Sequence, residues 1–230
     1  MAQKNFIIQL FNDIAPTYDK LNHLLSLNVD KSWRKKAVRH IVSRHPQTVL
    51  DIACGTGDFA IAIAQAGVPT VIGADISEGM LEVGRQKVRA LGLNIEMRVD
   101  DSEHLQMEDN SVDAISVAFG VRNFEHLQVG LNEMHRVIRP GGMVCVLELS
   151  VPSNPILLAL YKLYFLHVLP FFGGLISGNR GAYQYLPKSV LNFPKPDKFC
   201  QMLQTAGFQQ VEAKSFTFGL CRMFTGIKCS

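Results

Sequence analysis

The chain has 230 residues, 47% of them hydrophobic, which is enough to bury one α/β core without disulfides or metals. Its formal net charge of +3 is too small to indicate a nucleic-acid partner. The five cysteines lack C-x-x-C spacing and the seven histidines lack zinc-ligand spacing, so a cytoplasmic protein with reduced thiols and metal-free chemistry is expected.

Cationic side chains concentrate near the N-terminus, inside a segment, residues 1–45, that we expect to form a helical lid. They are Lys31, Arg34, Lys35, Lys36, Arg39 and Arg44. Such a run is usually the solvated face of a helix. A long apolar segment later in the chain favours another interpretation, in which the basic run belongs to a surface that contacts lipid.

A glycine turn at Asp51–Asp58 is the most informative feature of the chain. Thr48–Ile52 is predicted to be a buried strand and Phe59–Gln65 the interior of a helix, so the turn joins strand to helix. Glycines at positions 55 and 57 let the backbone turn sharply and approach a ligand closely. The next predicted strand, Val71–Asp75, ends in an acid at the distance where nucleotide-binding folds hold ribose hydroxyls. An adenosine-containing cofactor is therefore predicted.

Two cofactors fit this pattern. Gly55–Ala60 satisfies the permissive G-x-G-x-x-G/A pattern of dehydrogenases, but Asp51 would place negative charge near the pyrophosphate of NAD, and no second glycine fingerprint follows. S-adenosylmethionine carries a sulfonium and an ammonium but no phosphate, so acids at strand ends favour it. The alternative of a tight turn without a ligand is disfavoured by the spacing of Asp75. The predicted cofactor contacts in these loops are Asp51, Gly55, Thr56, Gly57 and Asp75.

The following elements continue the alternation of strand and helix. Ser77 is a predicted N-cap of a helix that stops near Gly92. The short strand Ile95–Val99 ends at the polar cluster Asp100–Glu103, within which Asp101 and Ser102 are predicted to contact adenine. A solvated loop is the alternative for this cluster.

The middle of the chain adds another strand, Val112–Phe119, which should end beside the cofactor because open α/β sheets bind ligands at the carboxyl ends of strands. This places Arg122 and Asn123 near the site. A helix over Leu127–Ile138 is predicted to stop at a proline and two glycines, before the strand Met143–Leu149. Such alternation predicts an α/β fold with a mainly parallel, doubly wound sheet.

Residues 156–176 are almost wholly apolar, about the length of a membrane-spanning helix. Pro170 and the cost of placing Lys162 in hydrocarbon argue against a span. A core helix and an element that meets lipid both remain open. The aromatic residues that would line a greasy channel are Tyr161, Tyr164, Phe165, Phe171 and Phe172.

The C-terminal part is predicted to contain a loop over residues 183–194, a helix over Pro196–Thr205 and two strands. The first strand covers Gln210–Lys214 and the second ends near Ile227. These strands are expected to close the sheet with an antiparallel edge hairpin.

Several groups of residues together carry a resemblance over nearly the whole chain. They are Phe11–Asp19 with Asn22 and Ser26, Leu50–Ala53 running into Gly55–Asp58, Phe119–Gly120 with Arg122–Asn123, Arg136–Gly142 followed by Leu147–Glu148, and Tyr183–Pro187 with Phe193–Pro194. In these residues the chain resembles the ubiquinone/menaquinone biosynthesis C-methyltransferase family, a branch of the class I S-adenosylmethionine-dependent methyltransferases. The glycine motif is generic to class I enzymes, whereas the N-terminal and Arg122 motifs are far more specific.

The resemblance implies a single class I, Rossmann-like methyltransferase domain over residues 1–230, with a doubly wound seven-stranded sheet, the helical lid, and an apolar helical insertion over residues 151–195. It implies methyl transfer from S-adenosylmethionine to a ring carbon of a polyprenylated hydroquinone. The acceptor is expected to be demethylmenaquinol, and its benzoquinol counterpart in ubiquinone biosynthesis is the alternative. Thr56 and Asp75 match the family's cofactor contacts, and Asp101 and Ser102 match the pair after the third strand.

The chemistry then requires an oriented acceptor and a stabilised phenolate. Arg122 is the candidate for holding that oxyanion, and an ion pair with a neighbouring acid is the alternative role. Candidates for closing over the ring or handling the proton are Tyr18, Asp19, Asn22 and Tyr185.

Two rival functions remain open: a noncatalytic scaffold subunit that binds S-adenosylmethionine or lipid, and a methyltransferase acting on a small phenol or lipid amine. The expected partners are the quinol and, transiently, the inner face of the membrane, with no nucleic acid; a homodimer is left open.

Overall fold

The structure, a computed structural model, describes residues 2–152, 154–164 and 180–229. Its strands are β1 (Thr48–Ile52), β2 (Thr70–Asp75), β3 (Ile95–Val99), β4 (Val112–Ala118), β5 (Ile138–Leu149), β6 (Phe208–Phe216) and β7 (Cys221–Lys228). Its α-helices are α1 (Ala2–Ile14), α2 (Tyr18–Leu25), α3 (Val29–Val42), α4 (Asp58–Gln65), α5 (Glu78–Ala90), α6 (Leu127–Val137), α7 (Pro155–Leu163), α8 (Arg180–Asn192) and α9 (Pro196–Thr205). Short 3₁₀ helices lie at Ala15–Thr17, Val121–Asn123 and Thr217–Gly219.

One seven-stranded sheet organises the molecule, in the order β3-β2-β1-β4-β5-β7-β6. The first five strands are parallel to one another. The central strand β1 is buried on both faces at Val49, Leu50 and Ile52, as expected for a parallel strand covered by helices on each side. The predicted doubly wound α/β sheet is confirmed.

Two hydrophobic clusters fill the space between the sheet and its helices. On one face, α3, α4 and α5 contribute Trp33, Phe59 and Leu81. On the other face, α6 and α9 contribute Leu131 and Phe199. The side chain of Phe199 is fully buried, and such burial stabilises the fold by roughly 1.5–3 kcal/mol per large apolar side chain.

The C-terminal hairpin also matches its prediction. Strand β7 pairs antiparallel with β5 and with β6, so it enters between them and leaves β6 at the sheet edge. The first strand runs from Phe208 to Phe216 and is longer than the predicted Gln210–Lys214. A register shift between Gln209 and Glu212 accounts for the weak alternation at its start.

The segment after α6 differs from its prediction, because the proline and glycines at 140–142 do not lie outside the strand. Strand β5 already pairs with β4 at Ile138↔Val112, and pairing resumes at Met143↔Ala114 after a register shift. A Cβ on Gly142 would lie 2.6 Å from the carbonyl oxygen of Asp113. The glycine therefore permits the close approach that this irregular pairing needs.

The predicted loop over residues 183–194 is wrong, since Arg180–Asn192 forms helix α8 with Pro187 inside it. An interior proline costs a helix about 3 kcal/mol, but tertiary packing compensates here. Val190 is 2% exposed, and Tyr185 packs edge-on against Phe6 of α1 with ring centroids 5.9 Å apart. Burial of one face thus overrides the local signal that predicted a loop.

The N-terminal helices pack over the carboxyl ends of the parallel strands. Asn12 of α1 accepts hydrogen bonds from the Ser77 hydroxyl at 2.7 Å and from the Gly79 amide at 2.9 Å. The Ser77 hydroxyl accepts from the amide of Met80 as the N-cap of α5. The lid segment is thereby attached to the start of α5.

No helix within the described ranges has both the length and the apolar content needed to cross a bilayer. The predicted channel residues Phe165, Phe171 and Phe172 lie outside the described residues, as does most of the second half of the apolar segment.

Candidate active site

Two strand ends adopt left-handed backbone conformations beside each other. Ala53 follows β1 with φ 50°, and Phe119 follows β4 with φ 59°. Strands β1 and β4 are neighbours in the sheet, so both turns occur at one edge. Non-glycine residues rarely adopt positive φ, and such strain is concentrated at functional sites.

The glycine turn between β1 and α4 is built for close approach. Gly55 has φ 56° and Gly57 has φ 81° at the N-cap of α4. A Cβ on Gly57 would lie 3.1 Å from the Cε of Met97 in β3. A larger residue would push the loop away from the neighbouring strand or strain it.

Asp75 clamps that glycine turn from the end of β2. Its carboxylate accepts hydrogen bonds from the amides of Gly55 and Ser77, each at 2.8 Å. Burial raises the pKa of Asp75, and the two amide hydrogen bonds oppose that rise. The acid is therefore fixed in place with lone pairs left for a ligand.

We call the space above these turns the glycine-loop cavity. It is lined by Lys4, Ile7, Phe11, Tyr18, Ala53, Gly55, Asp75, Ile76, Met80, Asp100, Asp101, Ser102, Glu103, Ala118, Phe119, Gly120, Asn123, Phe124 and Glu125. The predicted contacts Gly55, Asp75, Asp101 and Ser102 all lie in this lining. Four of its members, Lys4, Ile7, Phe11 and Tyr18, come from helices α1 and α2.

Lys4 of α1 bonds to the acids after β3. Its ammonium lies 2.7 Å from Asp101 Oδ2 and 3.4 Å from Glu103 Oε2. Burial would raise the pKa of Asp101, but the hydrogen bond from Lys4 holds that pKa below its ordinary value. Glu103 in turn accepts from the amides of Glu125 and His126 ahead of α6. These contacts tie the acidic loop to α1 and to the start of α6.

Asp51 lies one layer beneath the glycine turn, and it is absent from the cavity linings. It is fully buried, and the Ser116 hydroxyl donates to its Oδ1 at 2.6 Å. Its buried Oδ2 has no hydrogen-bond partner in the described part of the chain. Burial raises the pKa of Asp51 to about 7, against the hydrogen bond from Ser116 that lowers it. The carboxyl can therefore change charge near neutral pH.

A second space, which we call the apolar cavity, has a volume of about 500 Å³. It is lined by Tyr18, Asn22, Ser26, Leu27, Val29, Asp30, Trp33, Arg34, Phe119, Arg122, Leu149, Pro152, Leu157, Tyr161, Tyr164, Leu186, Thr217, Phe218 and Leu220. Tyr18 and Phe119 line both this cavity and the glycine-loop cavity. The two spaces therefore adjoin at these rings.

Arg122 lines the apolar cavity, and its side chain is 5% exposed. Its Nη1 lies 2.8 Å from Glu148 Oε1 and also donates to the Phe119 carbonyl, while its Nε donates to the Ser189 hydroxyl at 3.3 Å. The ion pair considered as its alternative role is therefore present. Nη2 makes no hydrogen bond to residues 2–152, 154–164 or 180–229, which leaves donors for a ligand.

Glu148 is fully buried at the end of β5 and forms an ion pair with Arg122. It also accepts from the backbone amides of Arg122 at 3.3 Å and Leu149 at 2.8 Å. Burial raises the pKa of Glu148, and the Arg122 charge opposes this. These contacts fix the guanidinium relative to the sheet.

Two further predicted residues, Asn22 and Tyr185, line a space together with Arg122. Asn22 lines the apolar cavity together with a small space between α1 and α8. Tyr185 lines that small space, and its hydroxyl donates to Asn123 Oδ1 at 3.1 Å. Burial raises the pKa of Tyr185, so its phenol acts as a donor at neutral pH.

Asp19 and Thr56, two further predicted site residues, bond to each other in this structure. The Thr56 hydroxyl donates to Asp19 Oδ1 at 2.5 Å, and Lys87 Nζ lies 2.8 Å from Asp19 Oδ2 and 2.5 Å from Asp58 Oδ1. These side chains join lid, glycine turn and α5, and they line none of the three cavities. We call Asp19, Thr56, Asp58 and Lys87 the lid latch.

Sequence reasoning did not assign roles to Lys4, Trp33, Lys87 or Glu148. Glu148 carries its own signal, since it is a charge inside the otherwise apolar strand Met143–Leu149. Lys4, Ile7 and Phe11 recur at the spacing that places side chains on one face of a helix. This pattern indicates that the face packs against the rest of the protein. Lys87 and Trp33 give no local signal, because their partners lie far away in sequence.

No cluster of three His, Cys, Asp or Glu side chains suited to a metal ion occurs among the described residues.

The model of the ubiE/COQ5 methyltransferase family matches residues 1–228. A demethylmenaquinone methyltransferase of Bacteroides fragilis is 44% identical, over 96% of this chain and 91% of that protein. One of Deinococcus radiodurans is also 44% identical, over 96% of this chain and 91% of that protein.

Among solved structures, a SAM-dependent methyltransferase from Thermotoga maritima has the same fold, with a TM-score of 0.69 at 18% identity over 96% of this chain and 99% of that one. A family model covering nearly all residues, together with relatives well above 30% identity over almost their full lengths, shows that the chain belongs to the ubiE/COQ5 methyltransferase family.

Proposed function

We propose that this chain transfers the methyl group of S-adenosylmethionine to a ring carbon of demethylmenaquinol. The observation that carries the proposal is the pair of adjoining cavities, one acidic and backed by a glycine turn, the other apolar, which share Tyr18 and Phe119. Methyl transfer needs donor and acceptor held in line at a short distance. Because Tyr18 and Phe119 line both spaces, a donor in one and an acceptor in the other would lie next to each other, as this reaction requires.

The glycine-loop cavity suits the donor. Asp75 would accept from the ribose hydroxyls while it holds Gly55, and Asp101 with Ser102 would meet the adenine. The Lys4 ammonium now bonded to Asp101 at 2.7 Å would exchange with the donor's own nitrogen groups. Asp51 supplies negative charge beneath the turn, which favours a cationic ligand.

The apolar cavity suits the acceptor. Trp33 and Phe119 present rings to it with centroids 6.2 Å apart, and aromatic walls of this kind pack against planar ring systems. A volume of about 500 Å³ is within the range of ligand pockets. It leaves room for a fused bicyclic ring with the beginning of an apolar tail.

S-adenosylmethionine supplies an electrophilic methyl group, so the protein has only to orient the quinol and stabilise its phenolate. Arg122 keeps a fixed position through Glu148, Ser189 and the Phe119 carbonyl, and its remaining donors would hold the oxyanion. Burial raises the pKa of Tyr18, so its hydroxyl stays a hydrogen-bond donor. The carbon–sulfur bond breaks, the ring carbon–carbon bond forms, and the hydrogen displaced from that carbon leaves as a proton.

The lid would exclude water during this step. Helices α1 and α2 bring Phe11 and Tyr18 over the cavities, with ring centroids 6.0 Å apart. The lid latch and the Asn12 contacts hold these helices against α5. Opening must precede entry of the donor, since Lys4 and Phe11 cover its cavity.

The decisive test mixes purified protein with methyl-labelled S-adenosylmethionine and reduced quinones that differ in nucleus and tail. Label on the ring of demethylmenaquinol is expected, with weaker transfer to the benzoquinol counterpart. Preferred labelling of the benzoquinol would assign the ubiquinone step instead. Tight donor binding with no labelled quinol would favour the scaffold function, and labelling of small phenols alone would remove the lipid acceptor.

A further inference from the structure

The mouth of the apolar cavity carries two large, solvent-exposed apolar side chains. Leu27, between α2 and α3, is 79% exposed, and Phe218, between β6 and β7, is 81% exposed. Both residues also line the cavity. Exposed apolar side chains at the entrance of an apolar space form a path by which a hydrocarbon chain can enter without crossing water.

Both side chains are presented by left-handed backbone. Leu27 has φ 52° and Phe218 has φ 56°, conformations that cost free energy for residues with a Cβ. The turn around Phe218 is held in place, because Trp33 Nε1 donates to Thr217 Oγ1 at 2.8 Å. Exposing the Leu27 and Phe218 side chains therefore costs free energy twice, through backbone strain and through hydration of apolar surface.

Helix α7 extends the same apolar surface. Its residue Leu157 lines the cavity, while Ile156 is 72% exposed and Leu163 is 59% exposed. A helix that is apolar both toward the interior and toward solvent needs a further apolar partner. We call Leu27, Ile156, Leu163 and Phe218 the apolar rim.

Positive charge borders this rim. The exposed charged residues of α3 are all cationic, namely Lys31, Lys35, Lys36 and Arg39, and its one acid, Asp30, is buried. Lys36 Nζ lies 5.0 Å from the ring centroid of Phe216, two residues before the exposed Phe218. Cations thus stand at the base of the apolar tip, where lipid headgroups would lie if the tip entered a bilayer.

We propose that the apolar rim and the cationic face of α3 form a docking surface for a bilayer containing anionic lipid, with the mouth of the apolar cavity turned to the membrane. Apolar side chains would enter the acyl boundary while the lysines contact phosphate groups. The surface explains the four exposed cations of α3, Lys31, Lys35, Lys36 and Arg39, which line neither of the two cavities. The biological purpose of this surface rests on the proposed function, in which the acceptor carries a lipid tail. The exposed side chains and the contacts described above do not depend on that function.

The test measures binding of the full chain to sedimented vesicles of phosphatidylcholine, with and without phosphatidylglycerol, in the absence of donor and quinol. Binding is expected to the anionic vesicles and to fall with salt. The variant Leu27→Ser/Phe218→Ser should bind about tenfold or more weakly. The triple variant Lys31→Gln/Lys35→Gln/Lys36→Gln should also lose about tenfold or more, on anionic vesicles only.

Matched controls place the same chemistry elsewhere on the surface. They are Leu91→Ser/Val129→Ser for the apolar pair and Arg89→Gln/Lys195→Gln/Lys198→Gln for the charges, all at exposed positions outside the rim and α3. These controls should bind like the unaltered chain. A Phe218→Trp variant should be quenched by brominated lipid, and Val129→Trp should not.

Equal binding of rim and control variants, or sedimentation of the chain as a dimer whose contact is lost in the rim variant, would overturn the docking surface. The proposed function is scored separately, by turnover of a short-tailed quinol in solution without vesicles. Failure of vesicle binding therefore does not affect the test of methyl transfer, and failure of methyl transfer does not affect the test of vesicle binding.

Discussion

The two cavities of this protein are made by different parts of the chain. The glycine-loop cavity has its floor at the ends of consecutive parallel strands, with acids at Asp75 and Asp101. The apolar cavity draws on Tyr18, Tyr161 and Leu220, which are distant in sequence and belong to segments added to the sheet. If the proposed assignment of the cavities is correct, donor binding is a local property of the strand ends, whereas acceptor binding depends on the N-terminal helices and on segments after β5.

Arg122→Ala should have the largest effect and should separate the two cavities. Turnover is expected to fall about a hundredfold to a thousandfold, as when a donor to a developing oxyanion is removed, while calorimetry should find donor affinity nearly unchanged. Loss of the partner also leaves Glu148 buried with no opposing charge, so stability should drop by about 3–5 kcal/mol.

The double variant Arg122→Met/Glu148→Gln is the control for that stability loss, since it removes both charges. Its stability should recover while its turnover stays low. Recovery of turnover in the double variant, or joint loss of donor affinity and turnover in Arg122→Ala, would remove the arginine from oxyanion stabilisation.

Asp51→Asn should change the pH dependence of both the stability of the fold and the affinity for the donor. The folded-state pKa of Asp51 is raised from 3.8 to about 7, so the native state binds the proton more tightly than the unfolded state. Its contribution to stability is therefore full below pH 3.8 and lost as pH rises through about 7. Relative to the parent, the Asn variant should gain up to about 4 kcal/mol across that window.

Chemical unfolding at several pH values measures this difference. Donor affinity of the parent should also rise with pH through the same range, because a cationic ligand favours the charged carboxylate, and this rise should be absent in the variant. Parallel pH profiles for both proteins would show that Asp51 does not titrate as its burial implies.

Asp75→Ala should weaken donor binding and leave the acceptor side intact. The variant loses a charged acceptor for the Gly55 and Ser77 amides, so donor affinity should fall about tenfold to a hundredfold. The quinol KM at saturating donor should stay the same. Asp113→Ala is the matched control, because Asp113 accepts from the Gln47 and Thr48 amides at the opposite edge of the sheet; an equal loss there would assign the effect to general destabilisation.

Lys87→Met, which opens the lid latch, should have the smallest effect. The ion pairs of Lys87 with Asp19 and Asp58 are a quarter exposed, so each should contribute less than about 1 kcal/mol. We expect kcat/KM to fall by less than about tenfold and to lose part of its salt dependence. Arg85→Met, which removes ion pairs to Glu78 and Glu82 on the same helix, should leave both unchanged.

The sequence predictions are more accurate at the glycine-loop cavity than at the apolar cavity. Local signals predicted β1, the glycine turn, the Ser77 cap and the acid at Asp75, because each depends on residues a few positions apart. Helix α8 was mistaken for a loop since the burial of Val190 and the Tyr185–Phe6 contact outweigh the signal of Pro187. The lid latch and the Trp33–Thr217 hydrogen bond join residues far apart in sequence, and no local pattern encodes them.

The contact between Asp19 and Thr56 shows the limit of a motif. Both belong to motifs that predict contact with ligands, and that prediction stands, but neither motif indicates that the two side chains bond to each other at 2.5 Å. A motif fixes which residues are near a site, while the tertiary packing decides which of them face it.

The central claim is that donor and quinol occupy two cavities that meet at Tyr18 and Phe119. The most direct measurement is a crystal structure of the chain with S-adenosylhomocysteine and a demethylmenaquinone bound together. The account predicts the sulfur in the glycine-loop cavity, the quinone ring in the apolar cavity beside Arg122, and a ring carbon facing the sulfur directly where the two cavities meet. A quinone bound in the glycine-loop cavity, or a ring turned away from the sulfur with Arg122 out of reach, would contradict it.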